Sequence, residues 1–126
     1  MKDVVIVGGG VAGISLALLL KRDRYRIQIC ERSTPGFEDG HAFLIHPSAV
    51  EILKELTPTE LVHEIPGSNV WDVFIRNQRD EILTSDHLGN WLCVRRSQLI
   101  RHLTKILDDD AIAYDHRFKQ IGRAHV

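Results

Sequence analysis

A glycine-rich turn near the N-terminus constrains this chain more than any other feature. Residues 4–7 read Val-Val-Ile-Val, a β-branched apolar run typical of a strand that is buried on both faces of a parallel sheet. Gly8, Gly10 and Gly13 then follow in the spacing G-x-G-x-x-G, and residues 11–21 are rich in Ala and Leu without a helix breaker. The stretch predicts a strand, a tight turn and a helix whose N-terminus faces a nucleotide phosphate.

An acidic residue follows at the position that a dinucleotide site requires. The second strand alternates apolar Tyr25, Ile27 and Ile29 with polar residues and ends at Glu31, eighteen positions after Gly13. An acid about 20 residues after the glycines binds a ribose hydroxyl in dinucleotide sites. An ordinary glycine-rich turn of another α/β protein would explain the glycines but not Glu31. The ordered set therefore favours a dinucleotide site, with Val11 and Ala12 at the helix start as further candidate contacts.

Composition places few other demands on function. The chain has 126 residues, 44% of them hydrophobic, and a formal net charge of -1, which predicts about one globular domain and gives no sign of nucleic-acid or membrane partners. The N-terminal apolar run is too short for a signal peptide or a membrane span, so we expect a cytoplasmic protein. Cys30 and Cys93 read as two reduced, buried thiols. The closest histidine pair, His41 and His46, lacks a third ligand, so no metal is expected.

The remaining chain alternates helical and strand patterns. The predicted elements are a polar loop at residues 32–40, a helix from 46 to 56, a short helix at 58–64, a β-hairpin from 70–76 and 81–84, a strand at 91–94, a helix ending by 107, and strands at 111–114 and 118–121. Pro47 suits a first helical turn, and Thr57 with Glu60 forms a capping-box pattern. Ser97 can cap the last helix, and the aspartates after Leu107 favour its end there.

Three segments together carry a family resemblance. They are residues 4–13 with the Glu-Arg pair at 31–32, residues 40–53 (Gly-His-Ala-Phe-Leu-Ile-His-Pro-Ser-Ala-Val-Glu-Ile-Leu), and residues 94–99 (Val-Arg-Arg-Ser-Gln-Leu). In these the chain resembles the FAD-dependent aromatic hydroxylases similar to para-hydroxybenzoate hydroxylase, which have a glycine-rich loop before a helix and an Arg-x-x-Leu segment. The first motif also occurs in many other FAD and some NAD enzymes. The three in combination are much more specific.

The resemblance implies an α/β fold and a set of cofactor contacts. The fold is a Rossmann-like FAD-binding βαβ unit with an additional helical hairpin and β-hairpin, truncated before the second half of the fold. The implied contacts are Gly8, Gly10 and Gly13 with the FAD pyrophosphate, Glu31 with the adenosine ribose, Arg32 beside the adenine, Arg96 near the phosphate or ribitol, and His41 as a candidate phosphate contact. Arg32 fits a solvated surface position equally well. The chain departs from the family at Asp23 and Arg24, and at Ala42, where glycines are common.

The resemblance also implies an activity, namely that of a flavin monooxygenase. Such an enzyme reduces FAD with NADPH or NADH and transfers one oxygen atom of O2 to a small, often aromatic, substrate. No catalytic side chain can be assigned from the sequence. The alternatives are a halogenase or isoprenoid reductase of the same fold, or an NAD-binding dehydrogenase domain. A flavin absorbance spectrum would separate the FAD proteins from the dehydrogenase.

The C-terminal end suggests an incomplete reading frame. Family members run to several hundred residues, so we expect residues 1–120 to be the N-terminal part of an FAD-binding domain. Residues 121–126 (Ile-Gly-Arg-Ala-His-Val) match the translation of a sequencing adapter, and we expect them to be a non-native tail. The 126 residues alone should lack monooxygenase activity and bind FAD weakly at best. Substrate identity, the choice of NADPH or NADH and the oligomeric state are left open.

Overall fold

A computed structural model describes residues 2–34, 41–117 and 119, and these divide into two units. The first unit contains residues 2–34 and those from Leu103 onward, and the second contains residues 41–102. The elements are β1 (Asp3–Val7), α1 (Val11–Arg22), β2 (Arg26–Cys30), β3 (Ala42–Ile45), α2 (Pro47–Leu56), a 3-10 helix (Thr59–Glu64), β4 (Ser68–Arg76), β5 (Ile82–Arg95), α3 (Arg96–Ile106) and β6 (Ile112–Ala113). The predicted α/β class is confirmed.

The first unit is a three-stranded parallel sheet in the order β1-β2-β6. Ile6 of β1 pairs in register with Ile29 of β2, and both side chains are buried. Helix α1 contributes Ile14, Ala17 and Leu18 to the core of this unit. The predicted order of strand, glycine turn, helix and strand is confirmed.

The expectation that β1 is buried on both faces is wrong. Ile6 is buried, whereas Val5 is 65% exposed and Val7 is 55% exposed. Successive side chains of a strand point to opposite faces of its sheet. The face that carries Ile6 packs on α1, and the face that carries Val5 and Val7 is open among the described residues. An unbroken apolar run does not distinguish a strand covered on both faces from a strand covered on one.

The second unit contains an antiparallel sheet in the order β3-β5-β4. The predicted hairpin is confirmed, but the two runs expected at residues 81–84 and 91–94 belong to one 14-residue strand, β5. Gly89 lies within it at φ +81°, a conformation that glycine adopts without strain. Helix α2 buries one apolar stripe in this unit. The buried apolar residues of the unit are Val50, Leu53, Leu56, Leu92, Val94 and Leu99.

Two predicted helix caps are wrong and one predicted helix start is confirmed. Pro47 begins α2, and the His46 side chain accepts a hydrogen bond from the Ser48 backbone. The Thr57 hydroxyl does not cap the 3-10 helix, because it donates to the Leu53 carbonyl at 2.7 Å. The last helix begins at Arg96, so its predicted cap, Ser97, already lies inside it.

Some predictions fall on residues outside the described part of the chain. These are residues 35–40 of the polar loop, positions 118, 120 and 121 of the last predicted strand, and the whole segment 121–126. No helix among the described residues is long and apolar enough to cross a membrane.

Candidate nucleotide-binding site

The glycine turn between β1 and α1 is built by close backbone packing. Gly8 has φ +104°, and its N–H donates to the Cys30 carbonyl at the end of β2 at 2.8 Å. A Cβ at Gly13 would lie 2.0 Å from the Gly8 carbonyl oxygen and 3.4 Å from Ile6 Cγ2. No side chain fits at Gly13, because the obstructing atom belongs to the backbone. The turn thus brings the start of α1 directly against the end of β1.

The N-terminus of α1 has the features of an anion site. The first intrahelical hydrogen bond runs from Ile14 N–H to the Gly10 carbonyl at 3.0 Å, so the amides of Val11, Ala12 and Gly13 precede the helical ladder. No side chain caps this end, and the first turn carries no acidic residue. The positive end of the helix dipole therefore faces outward with backbone donors, the arrangement that binds phosphate.

The Glu31 carboxylate lies against the same turn. Its Oε1 accepts from the Gly9 N–H at 3.2 Å, and its Oε2 accepts from the Ser33 N–H at 3.4 Å. Each carboxylate oxygen can accept more than one hydrogen bond, so these contacts orient the group and leave capacity for a ligand hydroxyl. A Cβ at Gly9 would lie 3.2 Å from Glu31 Cβ, so Gly9 allows this close approach.

Backbone hydrogen bonds from residues 113–116 hold the backbone of Glu31 in place. Its N–H donates to the Ala113 carbonyl at 2.9 Å, and its carbonyl accepts from the His116 N–H at 2.9 Å. The Asp115 N–H also donates to the Ser33 carbonyl at 3.1 Å. The sequence analysis did not identify the contacts of Gly9 and Ser33 with the Glu31 carboxylate, nor the backbone hydrogen bonds that residues 113–116 form with residues 31–33. Gly9 occupies a variable position of the fingerprint, and backbone donors leave no residue-type signal.

The other candidate contacts divide between the two units. Gly8, Gly10, Val11, Ala12, Gly13, Glu31 and Arg32 belong to the first unit, and His41 and Arg96 belong to the second. Arg32 is exposed directly after Glu31. The Arg96 N–H donates to the His41 carbonyl at 2.8 Å, so these two residues are neighbours. The candidate contacts therefore form two groups, one within each unit.

The comparisons with known proteins identify the class. Residues 3–117 match the family described as FAD dependent oxidoreductase, and the chain belongs to that family. The observed turn suits this cofactor, since FAD contains a pyrophosphate and an adenosine ribose, the two groups that the uncapped helix start and Glu31 are equipped to bind. The resemblance to a flavoprotein family is thereby confirmed.

One relative and two solved structures illustrate what the chain is similar to. An FAD-dependent monooxygenase of Aspergillus terreus is 29% identical over 124 residues, which covers 84% of this chain and 28% of that protein. The structure of p-nitrophenol 4-monooxygenase from Pseudomonas putida superposes with a TM-score of 0.81 at 18% identity, over 98% of this chain and 35% of that one. HpxO from Klebsiella pneumoniae, solved with FAD and uric acid, gives a TM-score of 0.75 at 18% identity, over 90% of this chain and 31% of that one. The chain spans about a third or less of these relatives.

Proposed function

We propose that this chain is the N-terminal, FAD-binding portion of a flavin-dependent monooxygenase that hydroxylates a small aromatic substrate with O2 and NADPH or NADH. One observation carries the proposal: an uncapped helix start and an oriented carboxylate meet at a single glycine turn. The Aspergillus relative, which is an FAD-dependent monooxygenase, supports the reaction class. The fold shared with p-nitrophenol 4-monooxygenase supports the choice of an aromatic substrate.

The residues of the first unit would bind and orient the cofactor. The amides of Val11, Ala12 and Gly13 would donate to the pyrophosphate, since they have no intrahelical acceptor. Gly10 would leave the backbone accessible to the phosphate oxygens. When bound, FAD supplies the redox and oxygen chemistry of the reaction. The chain's own contribution is to hold the adenosine-diphosphate half of the cofactor in a fixed place.

Glu31 would accept hydrogen bonds from the adenosine ribose. Gly9 and Ser33 hold its carboxylate through their backbone N–H groups, so the carboxylate is already oriented before a ligand binds. A group that is oriented in advance loses less conformational entropy on binding. Further proposed contacts, carried over from the family resemblance, are Arg32 beside the adenine, Arg96 near the phosphate or ribitol, and His41 at a phosphate. An arginine guanidinium forms strong hydrogen bonds with phosphate oxygens.

Activity can be tested in the whole protein that carries this segment. It should purify yellow, with a flavin absorbance spectrum that survives dialysis. Under anaerobic conditions NADPH or NADH should bleach that spectrum. Once labelled O2 is admitted, candidate phenols should be hydroxylated with one atom from it. A colourless protein that instead binds NAD would contradict the proposal and support a dehydrogenase domain. A flavoprotein that incorporates no labelled oxygen would retain the FAD site and contradict the monooxygenase reaction.

A further inference from the structure

Strand β4 forms a long apolar edge of the antiparallel sheet. It has nine residues, and among the described residues it pairs only with β5. Phe74 and Ile75, near the C-terminal end of the strand, are each 54% exposed. Both irregularities in the pairing insert their extra residues in β5, between Trp91 and His87 and between Thr84 and Ile82, so β4 itself runs without a bulge. Bulges usually protect such an edge from pairing with another chain, and an edge without a bulge whose consecutive residues 73–75 are apolar favours association.

The exposed part of β4 is complementary to itself. Residues 72–76 read Asp-Val-Phe-Ile-Arg, so an antiparallel copy centred on Phe74 sets Asp72 opposite Arg76 of the other copy. Val73 then lies opposite Ile75, and Phe74 lies opposite Phe74. Residues directly opposite in antiparallel strands share a face of the sheet, and aliphatic, aromatic and opposite-charge pairs all stabilise the pairing. A second copy of the chain therefore supplies a favourable pair at each of these five positions.

We propose that β4 is a dimer interface, in which two copies of the chain pair edge to edge through residues 72–76 about a two-fold axis at Phe74. The strand order β3-β5-β4 of each copy then continues into the other, which gives one six-stranded antiparallel sheet. Such an interface is isologous, because the same surface is used on both copies. It also gives hydrogen-bond partners to the N–H and C=O groups that β4 directs away from β5.

The charged side chains at this edge can change partners when two copies pair. Asp72 Oδ1 and His87 Nδ1 are hydrogen-bonded at 2.9 Å, and Arg76 forms an ion pair with Asp80 at 3.2 Å. All four side chains are substantially exposed, and ion pairs of this kind contribute little to stability. Replacing them with two ion pairs across the interface therefore carries a small penalty. The interface gains apolar burial at Val73, Phe74 and Ile75 in return.

Charge reversal tests the proposal in the whole protein that carries this segment. Sedimentation velocity should show a dimer for the wild type. Asp72→Arg alone and Arg76→Asp alone should each weaken dimerisation roughly tenfold or more, because each places two like-charge pairs across the axis. An equimolar mixture of the two variants should recover a heterodimer, since each partner then presents the opposite charge. The double variant Asp72→Arg/Arg76→Asp should form a homodimer again.

A matched control is Glu51→Arg on α2, which breaks the exposed pair with Lys54 at 3.6 Å and should leave the dimer unchanged. Circular dichroism confirms that each variant is folded, and hydrogen exchange at Phe74 reports whether its strand is covered. A monomeric wild type would overturn the proposal. Dimerisation of both single variants at wild-type affinity, or a mixture that stays monomeric, would overturn it as well.

Discussion

Two of the edge strands among the described residues, β1 of the parallel sheet and β4 of the antiparallel sheet, differ in how far their side chains are buried. β1 has five residues and buries Ile6 against α1, whereas β4 has nine residues and none of its side chains is buried. β1 leads directly into the glycine turn, where one misplaced atom would collide with backbone. The side chains of β4 mainly contact β5, the other strand of the hairpin. A single substitution should therefore have a larger effect on stability at the turn than in the second unit.

The largest effect is expected for Gly13→Ala. The new Cβ would lie 2.0 Å from the Gly8 carbonyl oxygen, so β1 and α1 must separate. We expect a loss of about 3 kcal/mol in the free energy of unfolding, at the upper end for overpacked sites. Urea unfolding followed by circular dichroism measures it. Gly89→Ala is the matched control: nothing lies within 4 Å of that site, so only the strain of φ +81° remains, about 1 kcal/mol.

A smaller effect is expected for Glu31→Ala. This substitution removes the acceptor of the Gly9 and Ser33 amides, and a hydrogen bond to a charged group contributes about 1.5–3 kcal/mol. We expect a loss of about 1.5 kcal/mol, since both bonds are long and the site is half-buried. Thermal unfolding of this variant beside Glu55→Ala, a control at an exposed position of α2, measures it. Equal midpoints for the two variants would remove Glu31 from the support of the turn.

In the second unit, Thr57→Val tests a buried polar contact. The Thr57 hydroxyl donates to the Leu53 carbonyl, so its oxygen accepts from His102 Nε2–H at 3.2 Å. Valine fills the same volume without either bond, and we expect a loss of about 1 kcal/mol. Thr57→Ser keeps the hydroxyl and should recover most of the bonding. A serine variant that is less stable than the valine variant would show that packing, rather than hydrogen bonding, determines this site.

The smallest effect is expected for Asp3→Asn. Asp3 forms an ion pair with Arg26 Nε at 2.6 Å, but both side chains are largely exposed. Solvent screening limits such pairs to about 0–1 kcal/mol, and we expect a loss below about 0.5 kcal/mol. Urea unfolding at low and high salt measures it. A loss comparable to that of Gly13→Ala would mean that charge pairing, rather than backbone packing, holds β1 in place.

The sequence predicted the glycine turn well because its determinants are local. Gly8 and Gly13 must be glycine for reasons of conformation and space, and both requirements appear as residue identities in a fixed spacing. The support of Glu31 was not predictable, since Ala113 and His116 act through backbone atoms that any residue supplies. The predicted cap at Thr57 was wrong because its hydroxyl donates to the Leu53 carbonyl in α2 and does not cap the backbone amides that follow.

Titration of the apoprotein of the whole protein that carries this segment with FAD tests the central claim, that the glycine turn binds the cofactor's pyrophosphate. Flavin fluorescence should change on binding to the wild type and to Gly89→Ala alike. Gly10→Val should show no measurable binding, because its side chain would occupy the space of the pyrophosphate. Glu31→Ala should bind roughly ten to a hundred times more weakly, which corresponds to the loss of one charged hydrogen bond. A Gly10→Val variant with wild-type affinity, or a folded wild type that binds no FAD, would contradict the account.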